Sequence, residues 1–134
     1  MSEENVELAR QVLQCLGERD AEKLIGLADP DVEWHSFFAI GEGGGTYRGH
    51  DGTRRYMGDL DDAWEVGRAE VDDALGIGEV AVLVGRIVYR GRGSGAESES
   101  PAGWMLKFRC GRLVRFHAFR EPEKALEAVG QSSS

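Results

Sequence analysis

Apolar residues recur at helical intervals near the start of the chain. Val6, Ala9, Leu13 and Leu16 fall on one stripe with Val12 beside it, while Glu3, Glu7, Arg10 and Gln14 lie elsewhere, which predicts a helix over 3–18. A second, short helix is predicted within "RDAEKLIGLADP", opened by Asp20 and stopped before Pro30. The period then drops to two. In "DVEWHSFF", Val32, Trp34 and Ser36 alternate with Glu33, His35 and Phe37, as in a strand. A glycine-rich stretch, "GEGGGTYRGHDG", follows and contains a short strand at "TYRG". Tyr56, Leu60, Ala63 and Trp64 then return to helical spacing and predict a third helix over about 50–65.

From residue 68 onward the pattern is that of strands. "AEVDDALGIGEVAVLVGRIVYRGRG" divides into two β-rich runs at the turn signal "GIGE". "GWMLKFRC" and "RLVRFHAF" are two more, joined by a tight turn around Gly111. "EPEKALEAVG" predicts a closing helix with Pro122 in its first turn and Gly130 as its stop, and residues 131–134 as a frayed tail. Helices first, then mostly antiparallel strands, then one helix describe an α+β domain over 1–134, with no repeat or linker to divide it. The helices are expected to cover one face of a strongly curved sheet, and a cone with an open mouth is a natural small-molecule pocket.

Composition narrows the possibilities. With 134 residues, 41% apolar and 30% charged, the chain is sized for one domain with a real core. Its longest apolar runs, such as "VAVLVG", fall far short of a membrane span, and the acidic start "MSEENVELAR" lacks the pattern of an export signal. Cys15 and Cys110 belong to no metal-binding or redox spacing, so reduced, buried thiols and a cytoplasmic location are expected. A net charge of −8 argues against a nucleic-acid partner, because binding phosphate backbones requires clustered Lys and Arg.

The glycines do not match the motif of a phosphate cradle. Gly44 and Gly49 are spaced as in a P-loop, yet His50 and Asp51 follow instead of Lys and a hydroxyl residue. Gly41 and Gly43 are followed by Thr46 where the third glycine of a dinucleotide fingerprint belongs. His35, His50 and His117 show no metal-ligand spacing, and "DLDD" at 59–62 lacks the glycine and terminal Glu of a calcium loop. Neither a metal nor a cofactor is expected.

"PDVEWHS", "GGGTYRGHDG", "GRGSG" and "LVRFHAFREPEKALEAVG" together resemble the SnoaL-like proteins, within the nuclear-transport-factor-2-like, ketosteroid-isomerase-like superfamily of α+β cones. That resemblance implies that the glycine stretch forms the lip of a cavity. It leaves function open, since members include polyketide cyclases, isomerases, epoxide hydrolases, dehydratases and proteins with no known reaction. The catalytic residues of the relatives are not retained. Trp34 stands where ketosteroid isomerases carry their basic aspartate, and Trp104 falls near their hydrogen-bonding acid. Arg86 matches the arginine of the epoxide hydrolases, but Val88 and Ala118 occupy their two aspartate positions.

Strand parity gives the expected pocket. Val114, Phe116 and Ala118 form one apolar set, with Arg120 on their face at the mouth; Trp104, Leu106 and Phe108 face inward, and Val82 and Val84 carry Arg86 with them. Trp34 and Tyr56 complete an aromatic lining, although core packing accounts for each aromatic taken singly. The candidate ligand-binding residues are therefore Trp34, Tyr56, Arg86, Trp104, Phe116 and Arg120, for a small hydrophobic or carbonyl-bearing molecule. A buried Arg86 requires a partner, for which Asp73 is available within the chain. His35 and His117 are out of step with these sets and point away from the cavity. "VAVLVGRIVY" is apolar on both parities, so its second face needs a cover, and a homodimer partner is expected to supply it. Two functions fit this reading, an acid–base enzyme of the isomerase or cyclase kind and a non-catalytic binding or dimeric interaction module.

Overall fold

A computed structural model describes residues 2–36, 46–91, 93 and 95–132. Helix α1 (Ser2–Glu18) and the short α2 (Ala21–Leu27) lead into strand β1 (Ala28–Ser36); β2 (Thr46–Arg48) and α3 (Gly49–Ala63) follow. Then come β3 (Trp64–Ile77), β4 (Val80–Gly91), β5 (Ser98–Arg109), β6 (Arg112–Phe119) and α4 (Pro122–Ser132). Asp20 caps α2 as its sequence suggested, accepting a hydrogen bond from the Lys23 amide. Helix α4 runs through Gly130 to Ser132, so Gly130 is not the stop expected of it. The "GEGGG" lip at 41–45 lies outside the described residues.

The six strands form one curled, unclosed sheet in the order β2-β1-β6-β5-β4-β3. All neighbours are antiparallel except β1 and β6, which run parallel with Trp34 opposite Phe116 and Ser36 opposite Ala118. The main core fills the concave side. Ala9, Val12, Leu13 and Leu16 of α1 and Tyr56, Met57 and Leu60 of α3 pack there on Trp34, Trp104, Leu106, Phe108 and Phe116. No described helix is long and apolar enough to cross a membrane.

Two of the inner sets differ from the parity expected. Leu83 pairs with Trp104 and Ala81 with Leu106, so the odd-numbered residues of β4 face the core and the even-numbered ones face out. Because β4 is apolar on both rows, its alternation alone could not fix the face; its partner strand does. On β6 a β-bulge intervenes. Lys107 pairs with Arg115 and Phe108 with Leu113, leaving Val114 as the extra residue, and Leu113 is fully buried in its stead.

The outer row of β4 has an intramolecular cover. Val80 and Val82 join Met105 and Ala125 in a second, smaller cluster beneath α4. Gly103 permits this approach: a Cβ there would lie 2.9 Å from both the Ala125 Cβ and the Pro122 Cα. The apolar residues Val80 and Val82 are thus accounted for within one chain and do not call for a second copy. Of the cysteines, Cys15 is buried as expected, whereas Cys110 is exposed, in a left-handed conformation (φ 53°) at the β5–β6 turn.

Candidate functional site

The concave side of the sheet retains a cavity of about 50 Å³ between α1, α3 and strands β3 to β6. Tyr56 and Leu60 of α3, Trp104 of β5 and Phe116 of β6 form one part of its wall, and Trp64, Tyr89 and Arg19 form another. Trp64 and Tyr89 meet edge to face with ring centroids 5.0 Å apart. An open groove of about 450 Å³ runs between α1 and β3 and shares Leu13, Gly17 and Ala69 with the cavity wall. The cavity has about a third of the ~150 Å³ apolar volume that takes up benzene in an engineered core. A ring-sized ligand therefore requires wall residues to move.

Three of the expected residues, Tyr56, Trp104 and Phe116, line the cavity. Trp34 stands one layer behind, packed against Tyr56 at 5.3 Å and Phe116 at 4.9 Å. Its indole N–H is used internally, donating to Thr53 Oγ1 at 2.8 Å. Arg86 is on the opposite face of the sheet. Its guanidinium donates to Glu70 Oε1 from Nε at 3.0 Å and lies 2.8 Å from the same oxygen through Nη2, with Asp72 and Glu99 at 3.6 and 3.8 Å. Asp73 is not its partner, because a bulge between Val71 and Asp73 sets Glu70 opposite Arg86 and turns Asp73 to accept from the Ala74 amide. Arg120 lies exposed beyond the end of β6 and is not on the cavity wall.

Arg19 is the residue that sequence reasoning missed. Helix α1 ends in a Schellman turn: the Arg19 amide donates to the Leu16 carbonyl and the Asp20 amide to that of Cys15. Arg19 occupies the left-handed position of that turn, at φ 58°, where glycine is usual. This backbone aims the guanidinium back beneath the helix. There Nη1 donates to the Leu16 carbonyl at 2.9 Å and Nη2 to those of Leu60 and Trp64 at 3.3 Å each. One side chain thus gathers the carbonyl ends of α1 and α3, both negative poles of their helix dipoles. The only visible signal was the turn itself, implied by Asp20 as a cap. Tyr89 was missed for a different reason, since it lies on the row of β4 that parity had placed outside.

The hydroxyl of Tyr56 is hydrogen-bonded to Ser36, and burial raises its pKa well above the ordinary value of 10, so it keeps its proton and acts as a hydrogen-bonding group. Tyr47 packs against Tyr56 with tilted rings 5.2 Å apart and donates its own hydroxyl to Asp59. Burial and that carboxylate push the Tyr47 pKa up to about 12. Among the described wall residues there is no carboxylate and no imidazole. The histidines lie elsewhere: His35 and His117 sit side by side on the outer face, as parity indicated, and His50 Nε2 lies 3.2 Å from the Ala28 carbonyl.

The SnoaL-like domain family matches residues 9–116 of the chain. No curated protein matches it. Among solved structures, an NTF2-like protein of unknown function from Burkholderia pseudomallei aligns with a TM-score of 0.75 at 21% identity, covering 92% of this chain and 95% of its own. TerC co-crystallized with polyporic acid aligns at 0.76 and 20% identity, covering 95% and 98%. A hypothetical protein from Catenulispora acidiphila with a ketosteroid isomerase-like fold, in complex with trimethylamine, aligns at 0.74 and 15% identity, covering 92% of each chain. At these identities the structural likeness establishes the shared α+β fold.

Proposed function

The chain belongs to the SnoaL-like domain family, and on that premise we propose that it binds a small, largely apolar molecule bearing an acceptor oxygen, such as an aryl ketone, in the cone cavity. The observation that carries this reading is the wall itself. Aromatic side chains (Tyr56, Trp64, Tyr89, Trp104 and Phe116) surround a space in which Arg19 is the charged group among the described residues. Such a wall favours a flat apolar body by contact area and fixes its orientation through one oxygen at the guanidinium. Room for a ring comes from displacing Leu13 toward the α1–β3 groove, with which the cavity already shares that residue. The ligands named for TerC and for the Catenulispora protein, polyporic acid and trimethylamine, are consistent with small organic occupants in this fold.

Binding without chemistry is preferred to an isomerase or cyclase reaction because the described wall offers no proton acceptor. Tyr56 and Arg19 can polarise a carbonyl, but neither takes a proton from carbon near neutral pH. The test uses acetophenone as probe, with Trp64 and Trp104 as reporters in the wall. Acetophenone is expected to change tryptophan emission and raise the melting temperature, and Ala118→Phe, which fills the cavity from its wall, is expected to abolish both. An unaltered response in Ala118→Phe, or no response in the parent protein, would overturn the reading.

A further inference from the structure

Outside the cone, the angle between α4 and the outer face of the sheet encloses a second hollow of about 250 Å³. Strand β6 contributes Arg115, His117 and Phe119, β5 contributes Met105, and α4 contributes Lys124 and Glu127. The interior is apolar where Met105 and Phe119 meet α4. The rings of His117 and Phe119 stack with centroids 3.9 Å apart and planes within 10°. His35, on the neighbouring strand β1, joins the row at 5.2 Å.

The charges around this hollow are unevenly used. Lys124 is held by Glu127 at 3.6 Å. His35 lies 3.4 Å from Glu33, which also engages Arg48 at 3.1 Å. No ion pair holds the exposed Arg115 among the described residues. Burial, then His35 and Arg115, lower the pKa of His117 to about 4, so its imidazole is neutral near pH 7 and adds hydrogen-bonding capacity without charge. The docking of α4 rests on Ala125 against Gly103 with Phe119 beside it, whereas Arg115 stands opposite Glu33 on β1 and lowers its pKa through space, with no ion pair between them.

We propose that this hollow is a second binding site, for a small aryl carboxylate, with its ring against Phe119, His117 and Met105 and its carboxylate on Arg115. The size is sufficient, since an apolar cavity of ~150 Å³ takes up benzene and the hollow offers about 250 Å³. A guanidinium donates two parallel hydrogen bonds to a carboxylate, which gives the anion one orientation. The site shares no residue with the cone cavity, so it stands independently of the function proposed above.

Imidazole resonances followed by NMR test the proposal, with sodium benzoate as probe and acetate and benzyl alcohol as controls. Benzoate is expected to move the His117 signals and to raise the apparent pKa of that imidazole, because a bound anion favours its protonated form. Acetate lacks the ring and benzyl alcohol lacks the charge; neither should do so at the same concentration. Arg115 is exposed, so Arg115→Gln should fold normally, and it is expected to weaken benzoate by roughly tenfold or more. The proposal is overturned if acetate acts like benzoate, if benzoate moves only the Trp64 and Trp104 signals, if Arg115→Gln binds as tightly as the parent, or if no signal moves.

Discussion

Trp34 donates its indole N–H to Thr53 Oγ1 across 2.8 Å, and neither residue reaches solvent. Thr53 in turn donates to the Gly49 carbonyl at 2.9 Å, so a strand is pinned to a helix through one hydroxyl. Thr53→Val keeps the shape and removes that hydroxyl. The indole N–H is then buried without its acceptor, and the expected loss is about 1–3 kcal/mol in urea denaturation. Thr53→Ser retains the hydroxyl and forfeits one buried methyl, for a smaller loss of about 1 kcal/mol. No loss in Thr53→Val beside a loss in Thr53→Ser would show that the methyl, and not the hydrogen bond, matters here.

Arg86 offers the opposite case. Its charge is shared among Glu70, Asp72 and Glu99, and its side chain is 41% exposed. Exposed ion pairs contribute little, because water and salt screen them. Arg86→Met is therefore expected to leave the unfolding midpoint nearly unchanged in moderate salt and to leave acetophenone binding untouched. A large loss of stability would mean that the outer network is far better shielded than its exposure indicates.

The contrast between these two residues shows what the chain's pattern could convey. Helices, strands and turns were legible because each carries its own period or cap, as in the stripe Val6, Ala9, Leu13 and Leu16 or the cap Asp20. Phe116 was placed correctly because β6 alternates around it, and Trp104 because Lys107 and Arg109 mark the outer row of β5. Arg86 was not, since "VAVLV" is apolar in both rows and only the pairing of Leu83 with Trp104 decides which row faces inward. Two bulges changed register: the one at Val114 carries no glycine or proline, and the one between Val71 and Asp73 is marked only on the partner strand, by Gly85, where a Cβ would collide with the Glu70 carbonyl. Arg19 was hidden for a conformational reason: a left-handed arginine points where a right-handed one cannot.

His117 makes stability depend on pH. Its ordinary value of 6.5 falls to about 4 in the folded chain, through burial and the nearby His35 and Arg115. The unfolded chain therefore takes up the proton first, and stability falls as pH drops from about 6.5 and finishes falling near 4. Glu33 adds a loss of its own at lower pH. Burial would raise its pKa, but the hydrogen bond with His35 and the charges of Arg48 and Arg115 outweigh that and hold it below the ordinary 4.5. His117→Gln isolates the first contribution. Urea midpoints measured between pH 7 and 5 should decline less in His117→Gln than in the parent, and parallel declines would refute the assignment.

Arg19 combines strain, structure and the proposed ligand contact, and three variants separate them. Arg19→Ala removes the donors to the Leu16, Leu60 and Trp64 carbonyls while keeping a Cβ in the left-handed conformation. Those carbonyls lie at helix ends where water reaches only part of the site, so a loss of about 1–3 kcal/mol is expected. Arg19→Gly removes the same donors but relaxes the backbone, and should be more stable than Arg19→Ala by about 1 kcal/mol. Arg19→Lys keeps the charge near both helix ends without the fork and should fall between Arg19→Gly and the parent. Binding is a separate reading of the same set. If the guanidinium holds the ligand's oxygen, acetophenone should bind Arg19→Gly roughly tenfold more weakly than the parent, a difference of about 1.4 kcal/mol. Ethylbenzene, which has the same outline without the oxygen, should bind both proteins alike. Equal weakening of the two probes would make Arg19 a strut for the cavity wall and leave the ligand's oxygen to Tyr56.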